Sequence, residues 1–493
     1  MKVFILTEGG KNIGFGHLTR CISLYQAFEE GGVLPEFIVN GDESIRDLLR
    51  GKKHKIFNWI EEKEKLFGFI ENADIVIVDS YLADISLYKA MSALSKIPVY
   101  IDDNKRINYP EGIVMNGAVY AEDVDYIKNE NVEYLAGPEY MPLRKEFWKV
   151  PEKEIRERVQ NIMMTFGGDD AKNMTPKILM FLNEEYPELM KNVVIGRGFQ
   201  NMEEIDDLRE KKVNLIYYPD AEKMKEIMLE SDIAISAGGQ SLYELAGVGV
   251  PTIGICVAEN QLENVEGWAK AGFLEYAGWY SEKNLLEKIR NSMKHLEDIN
   301  IRRNKSELGR KRIDGKGSLR VVGILLFNWF KDNLYLRNAD FEDALDIFNL
   351  SNDETVRNNS FNPEKIEWDH HSNWLKEKLK DKNCLFLIVS DNSGKFYGQV
   401  RFVVESETKE ATINISLARE IRGFGLSSLL IEKSVDKLLE VRKDIKLVKA
   451  FIKESNVASI RSFEKANFKF LRKVRIKGNK SKIYMKETGN VKI

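Results

Sequence analysis

Short apolar runs separated by helix-length stretches recur along the first 300 residues of this 493-residue chain. Val3–Leu6, Phe37–Val39, Ile75–Val78, Val99–Ile101 and Ile113–Met115 come first. Ile162–Phe166, Val193–Ile195, Leu215–Tyr218, Ile233–Ser236 and Pro251–Val257 follow. Runs of this length read as buried strands, and their alternation with helical periodicity predicts parallel sheets covered on both faces. After the first run, Leu18, Cys21, Ile22, Tyr25 and Phe28 have the spacing of one helix face. From Leu334 the pattern changes. Helices are expected over Phe341–Leu350 and Trp368–Leu379, and the runs Leu385–Val389, Gly398–Val404 and Ala411–Leu417 read as antiparallel strands. Three units follow: 1–148 and 149–332, each a doubly wound α/β Rossmann-like lobe, and 333–493, an α+β domain. The apolar helix near Ser318–Phe330 is expected to pack back on the first lobe.

The polar residues that interrupt the pattern gather where strands end, which is where open α/β sheets bind ligands. Gly14 and Gly16 flank Phe15 ahead of the first helix, with His17 at the junction and Arg20 one turn on. Glycines there let a ligand approach the backbone, and the helix start presents free N–H groups that suit an anion. His17 can serve as a base near neutral pH, or it can cap or pack under the helix. In the second lobe Gly167-Gly168-Asp169 and Gly238-Gly239-Gln240-Ser241 are two more glycine-rich strand–helix junctions suited to a diphosphate. Glu244, one turn into the second helix, is placed for ribose hydroxyls or else faces solvent. Asp102 and Asp103 read mainly as turn or cap residues. In the third unit Leu417 ends a strand, and Arg422-Gly423-Phe424-Gly425-Leu426-Ser427 opens a helix, a further phosphate-type junction.

Composition narrows the classes. Apolar residues make up 43% and charged residues 31%, with a net charge of −3. That balance is globular and gives no basic footprint for nucleic acid. Basic clusters such as Arg302-Arg303-Asn304-Lys305 are expected on solvated helix faces. The three cysteines Cys21, Cys256 and Cys384 are scattered, which fits buried thiols in a reducing, cytoplasmic compartment rather than a disulfide framework. No Cys/His cluster has ligand spacing, so no metal is expected, and no apolar run is long enough for a membrane span.

Two resemblances gather these features. Residues 1 to about 300 resemble the UDP-sugar hydrolases of pseudaminic acid biosynthesis, the PseG type. The resemblance rests on Ile13-Gly14-Phe15-Gly16-His17 with Arg20, Asp79-Ser80-Tyr81, Leu143-Arg144-Lys145-Glu146-Phe147, Phe166-Gly167-Gly168-Asp169, Ser241 with Glu244, and Asn260-Gln261. It implies a two-lobed, GT-B-like architecture and hydrolysis of UDP-2,4-diacetamido-2,4,6-trideoxy-β-L-altropyranose by water, with inversion. By the same resemblance His17 is the base. Gly14, Gly16, Arg20, Tyr81, Arg144, Gly168, Asp169, Asn260 and Gln261 line the substrate. Glu244 holds the ribose, and Gly239, Gln240 and Ser241 cradle the diphosphate.

Residues 333 to about 486 resemble GNAT-fold N-acetyltransferases through Glu420-Ile421-Arg422-Gly423-Phe424-Gly425, Asn456 and Phe463-Glu464-Lys465-Ala466-Asn467-Phe468. Glu420 stands where that family carries Gln or Arg, and Phe463 where a Tyr often acts as acid. The resemblance implies acetyl-CoA as cosubstrate, held by Leu417, Arg422, Gly423, Gly425, Leu426, Ser427 and Asn456. The acid is left open between Glu405, Glu407 and a water. The pairing implies consecutive steps on one UDP-sugar: acetylation of its 4-amino group, then release of UDP. The alternatives are a UDP-sugar glycosyltransferase, and a hydrolase carrying a non-catalytic CoA-binding module.

Overall fold

The computed structural model describes residues 1–10, 13–127 and 129–488. The chain forms two compact units, Met1–Val322 and Gly323–Ile493.

The first unit contains two sheets. Strands β1 (Val3–Gly9), β2 (Glu36–Gly41), β3 (His54–Ile56), β4 (Ala73–Asp79), β5 (Ser95–Ile101), β6 (Gly112–Asn116) and β7 (Val132–Ala136) form a seven-stranded sheet in the order β3-β2-β1-β4-β5-β6-β7. Every pairing in it is parallel. Strands β8 (Asn161–Thr165), β9 (Met190–Ile195), β10 (Val213–Tyr217), β11 (Ile233–Ala237), β12 (Thr252–Cys256) and β13 (Leu274–Trp279) form a second parallel sheet, β10-β9-β8-β11-β12-β13. β1 and β4 are buried at every position, as strands covered on both faces must be.

The lobes share packing. Val119, from the first lobe, belongs to the apolar core under the second sheet, with Leu242, Val265 and Trp268. Gly267 makes this approach possible, because a Cβ there would lie 2.7 Å from Val119 Cγ1. The first turn of the helix Gly317–Asn333 meets the segment that connects the lobes, where Ser318 Oγ donates to Leu143 O and Arg320 donates to Glu139 O.

The basic cluster near 302 is solvated only in part: Arg303 and Asn304 are exposed, but Arg302 and Lys305 are not. Arg302 is 1% exposed and donates to Leu296 O, Glu297 O, Arg156 O and Glu157 O. Lys305 is also buried, donating to Gly272 O and pairing with Glu275 at 2.7 Å. These cations take up carbonyls that no helix or strand satisfies.

In the second unit the order is β14 (Leu334–Asn338), β15 (Cys384–Asp391), β16 (Phe396–Glu405), β17 (Glu410–Leu417), β18 (Leu447–Lys453), β20 (Asn479–Glu487), β19 (Lys469–Ile476). Only β17 and β18 run parallel, and they pair over Glu410–Thr412 and Leu447–Lys449 alone. Both strands continue past that point, so they part toward Leu417 and Lys453.

Replacing Arg302 by Met removes four carbonyl partners from a buried position. We expect a loss of about 3 kcal/mol in urea unfolding, from the cost of unsatisfied buried groups. A loss below about 1 kcal/mol would show that water reaches those carbonyls.

Candidate active site

His17 lies in the first turn of the helix Gly16–Glu30, directly after the loop that leaves β1. Gly14 has φ +88°, a left-handed conformation that admits glycine readily, and neither Gly14 nor Gly16 has an atom within 4 Å of where a side chain would begin. The loop is therefore open toward a ligand.

The centre of this half-site is Asp79, the last residue of β4, with no solvent exposure. His17 Nδ1 lies 2.7 Å from its Oδ1. Arg20 donates to both carboxylate oxygens, Nε at 2.6 Å and Nη2 at 2.5 Å. Arg20 Nη2 also stands 3.1 Å from His17 Nδ1. One ring nitrogen cannot both donate to Asp79 and accept from Arg20. Burial would push the Asp79 carboxyl up, but the charges and hydrogen bonds of Arg20 and His17 overcome it and hold it well below the usual carboxylate range. An ionised acceptor at 2.7 Å decides for Nδ1–H as donor, which leaves Nε2 as the basic nitrogen.

A second carboxylate extends the network. Arg20 Nη1 donates to Asp103 Oδ2 at 3.0 Å, and the Tyr81 hydroxyl donates to Asp103 at 2.7 Å. Asp103 is thus a member of the site and not the cap that its position implied. Asp102 does hold its turn, accepting from Lys105 N, Tyr109 and Tyr126. The Tyr81 ring meets His17 edge-on at 4.4 Å. Its loop is fixed by buried Glu8, which accepts from Tyr81 N at 2.7 Å and Ser80 Oγ at 2.8 Å. Asp79 was part of the motif that carried the resemblance and Asp103 was read mainly as a cap, while Glu8 was missed altogether. Their placement after, or at the end of, an apolar run was the available signal.

The second lobe brings its own strand ends to the first. Gly168 faces Phe15, so that a Cβ on Gly168 would lie 3.6 Å from the Phe15 ring. Asp169 beside it is exposed, while Asp170 is buried and caps the helix Met174–Glu185 through Met174 N and Thr175 N. The helix Ser241–Val248 follows β11. Its first backbone bond is Leu242 N to Gly239 O, so the N–H groups of Gly239, Gln240 and Ser241 lie ahead of the helical ladder. The Gln240 side chain donates to Pro142 O, and Gln261 Oε1 accepts from Gly238 N at 3.0 Å. Asn260 is exposed in the turn before the next helix.

Glu244 is buried rather than solvent-facing, and Arg144 grips it with two bonds of 2.8 Å. Burial pushes its carboxyl up, offset in part by Arg144. Each carboxylate oxygen retains a second lone pair. A recess of 590 Å³, lined by Asn104, Tyr120, Asp123, Glu263, Glu266 and Lys270 among others, opens beside this cleft.

In the second unit, Gly423 (φ +88°) and Gly425 (φ +82°) are exposed at the start of the helix Leu426–Val441, with no atom within 4 Å of either Cβ position. Arg422 donates to Leu417 O at 2.7 Å and to Asp353 at 2.9 Å. Leu426 is buried and Ser427 half-buried. An open glycine turn on a long helix, beside two parting strands, fits the phosphates and extended arm of CoA. Asn456 caps the helix Val457–Lys465 by accepting from Ser459 N. Phe463 is buried against Phe468. Glu405 and Glu407 stand at the β16–β17 hairpin, the joined end of β17, away from the glycine turn.

Residues 162–315 match the glycosyltransferase family 28 C-terminal domain, and residues 333–469 match the acetyltransferase (GNAT) domain. The UDP-2,4-diacetamido-2,4,6-trideoxy-β-L-altropyranose hydrolase of Campylobacter jejuni is 22% identical over 289 residues, 56% of this chain and 99% of that protein. The chain thus resembles a PseG-type hydrolase over its first two lobes, here the PseG-like body, and a GNAT acetyltransferase over the unit that follows, here the GNAT domain. The Bacillus subtilis spore coat polysaccharide biosynthesis protein SpsG is 26% identical over 341 residues, 66% of this chain and 98% of that protein. An uncharacterised protein of Methanocaldococcus jannaschii is 26% identical over 505 residues, 96% of this chain and 98% of that protein, so it spans the PseG-like body and the GNAT domain together. The two parallel α/β lobes of the first unit are GT-B-like in architecture, and the unit that follows carries the match to the acetyltransferase (GNAT) domain. No helix among the described residues is long and apolar enough to cross a membrane.

A carboxyl held low in the folded state contributes stability that is complete above its unfolded value, about 3.9, and is lost as pH falls through the folded value. The stability gap between the wild type and Asp79→Asn is therefore expected to hold steady from pH 7 to about 5 and to narrow in stronger acid. A gap that widens on acidification in urea titrations would contradict the ionised Asp79.

Proposed function

We propose that the PseG-like body hydrolyses UDP-2,4-diacetamido-2,4,6-trideoxy-β-L-altropyranose, and that the GNAT domain acetylates the 4-amino group of UDP-4-amino-4,6-dideoxy-β-L-AltNAc, the preceding intermediate. The reading rests above all on one observation. His17 is held through Nδ1 by a fully buried carboxylate, at a glycine loop that faces a second glycine loop across the cleft.

In this reading His17 Nε2 takes a proton from water as its oxygen attacks the anomeric carbon. The bond from that carbon to the β-phosphate oxygen breaks, and UDP leaves on the opposite face, inverting the centre. Asp79 stabilises the imidazolium that forms and keeps the ring in its tautomer. Charge that develops on the diphosphate meets the N–H groups of Gly239, Gln240 and Ser241, fixed donors that need no reorganisation. Glu244 uses its remaining lone pairs for the ribose hydroxyls. Tyr81, Arg20, Arg144, Gly168, Asp169, Asn260 and Gln261 surround the sugar and its diphosphate. In the GNAT domain the 4-amino nitrogen attacks the thioester carbonyl, and the C–S bond breaks to give the amide and CoA thiol. Leu417, Arg422, Gly423, Gly425, Leu426, Ser427 and Asn456 hold the cosubstrate. Phe463 carries no proton to give, so the thiolate takes its proton from another group.

His17→Ala is expected to abolish UDP release and leave acetyl transfer intact. Gly425→Trp is expected to do the reverse, and Asp79→Asn to slow hydrolysis about 10³-fold. The purified protein is given the UDP-4-amino sugar with and without acetyl-CoA, while thiol and UDP are followed separately. Thiol formation, with UDP release that depends on acetyl-CoA, supports both steps. If the pre-acetylated sugar survives until an acceptor is added, a transferase replaces the hydrolase.

A further inference from the structure

The turn after β11 is held by more than its own helix. Both polar groups of the Gly238 peptide unit are occupied by side chains from the helix Leu262–Lys270 and the turn before it. Gly238 N donates to Gln261 Oε1 at 3.0 Å, and Gly238 O accepts from Asn264 Nδ2 at 2.6 Å. Asn264 Oδ1 in turn accepts the Tyr243 hydroxyl at 2.6 Å, and that hydroxyl accepts Val119 N–H at 3.1 Å. Val119 belongs to the first lobe and Gly238 to the second. The chain of bonds is directional. Tyr243 receives a proton donor from the first lobe, so its own hydrogen points to Asn264. Asn264 must then present its amide nitrogen to Gly238.

Val119, Tyr243 and Asn264 are each no more than 8% exposed, so water does not substitute freely for any of these bonds. The same Val119 abuts Gly267, three residues along the helix from Asn264. Among the described residues, the hydrogen bonds of Tyr243 and Asn264 go to Val119, to one another and to Gly238, and not to His17, Arg20, Asp79 or Asp103. Their polar atoms have no other assigned task.

We propose that Tyr243 and Asn264 are positioning residues, which set the shape of the Gly238–Ser241 diphosphate turn according to the seating of the first lobe. The proposal rests on the reading of that turn as the UDP site. With the first lobe seated, the Val119 N–H fixes the Tyr243 hydroxyl, Asn264 holds Gly238 O, and the N–H groups of Gly239, Gln240 and Ser241 stay aimed at the ligand. With the lobe displaced, the hydroxyl loses its donor and the turn loses one of its two clamps. The nucleotide and the lobe carrying His17 thereby favour one another's placement.

The test uses the full chain, with UDP as the probe. Tyr243→Phe removes only the hydroxyl. Asn264→Asp keeps the acceptor for Tyr243 and sets an oxygen against Gly238 O, and Asn264→Ala removes both. UDP affinity is measured by calorimetry, kcat and KM by UDP release, and a cooperative melting transition of the PseG-like body serves as the folding control. We expect about tenfold weaker UDP binding for either Asn264 variant, and a smaller loss for Tyr243→Phe. Melting of Tyr243→Phe is expected to fall by a few degrees, because Val119 N–H and Asn264 Oδ1 lose their shared partner. Because the residues act in series, adding Tyr243→Phe to Asn264→Ala is expected to change UDP affinity no further. Wild-type UDP affinity in the single variants, or losses that add in the double variant, would overturn the proposal while leaving the UDP site standing. If UDP binding to the wild type survives Gly239→Trp unchanged, the turn is not the UDP site and the proposal falls with that reading.

Discussion

A carboxylate with no exposure stays ionised only if cations come to it, and the first half-site is built around that requirement. Asp79 ends β4 inside the sheet, and burial alone would neutralise it. Arg20 and His17 answer from one face of one helix, three residues apart, so a single turn supplies both a guanidinium and a ring N–H donor. Arg20 then has donors left over, and Asp103 takes one of them. Tyr81 closes the circuit by donating to Asp103 while its ring meets His17. The tautomer of the histidine, the angle of the arginine and the seat of the tyrosine all follow from one buried charge.

The opposite half-site depends on backbone groups instead. Parallel strands deliver helix starts to one edge of a sheet, and Gly167, Gly168 and Gly239 keep those starts clear, while Gly238 is packed against Val265 and Gln261. This edge is tied to the first lobe at three points around a single helix turn: Gln240 to Pro142, Tyr243 to Val119, and Glu244 to Arg144. The start of the helix Ser241–Val248 is therefore held against the first lobe by three side-chain contacts.

The GNAT domain reaches a related solution from a different sheet. There the opening comes from two parallel strands that pair for three positions and then part. The helix start beyond β17 again carries exposed, left-handed glycines. Arg422 reinforces the turn from outside, bonding the end of β17 and Asp353, the residue that caps the helix Glu354–Asn359.

The sequence by itself determined where strands lie if they are buried on both faces, because such strands are continuous apolar runs. It also determined where phosphate-type turns lie, because only glycines at strand–helix junctions leave the backbone open. His17 and Glu244 were singled out for the same reason, each sitting at a fixed offset from such a junction, but the burial of Glu244 on Arg144 was not legible. Less apolar strands escaped notice. β3 is three half-buried residues, and β19 reads Lys469-Phe470-Leu471-Arg472-Lys473-Val474-Arg475-Ile476, mostly exposed. Only the tertiary structure decided which polar residues work together. Arg20 meets Asp79 across 59 residues and Asp103 across 83, and nothing local marks either pairing. Arg302 and Lys305 read as a solvated face until distant carbonyls appeared around them. Burial is a property of what packs against a residue, and for a charged side chain it fixes both its partner and its role.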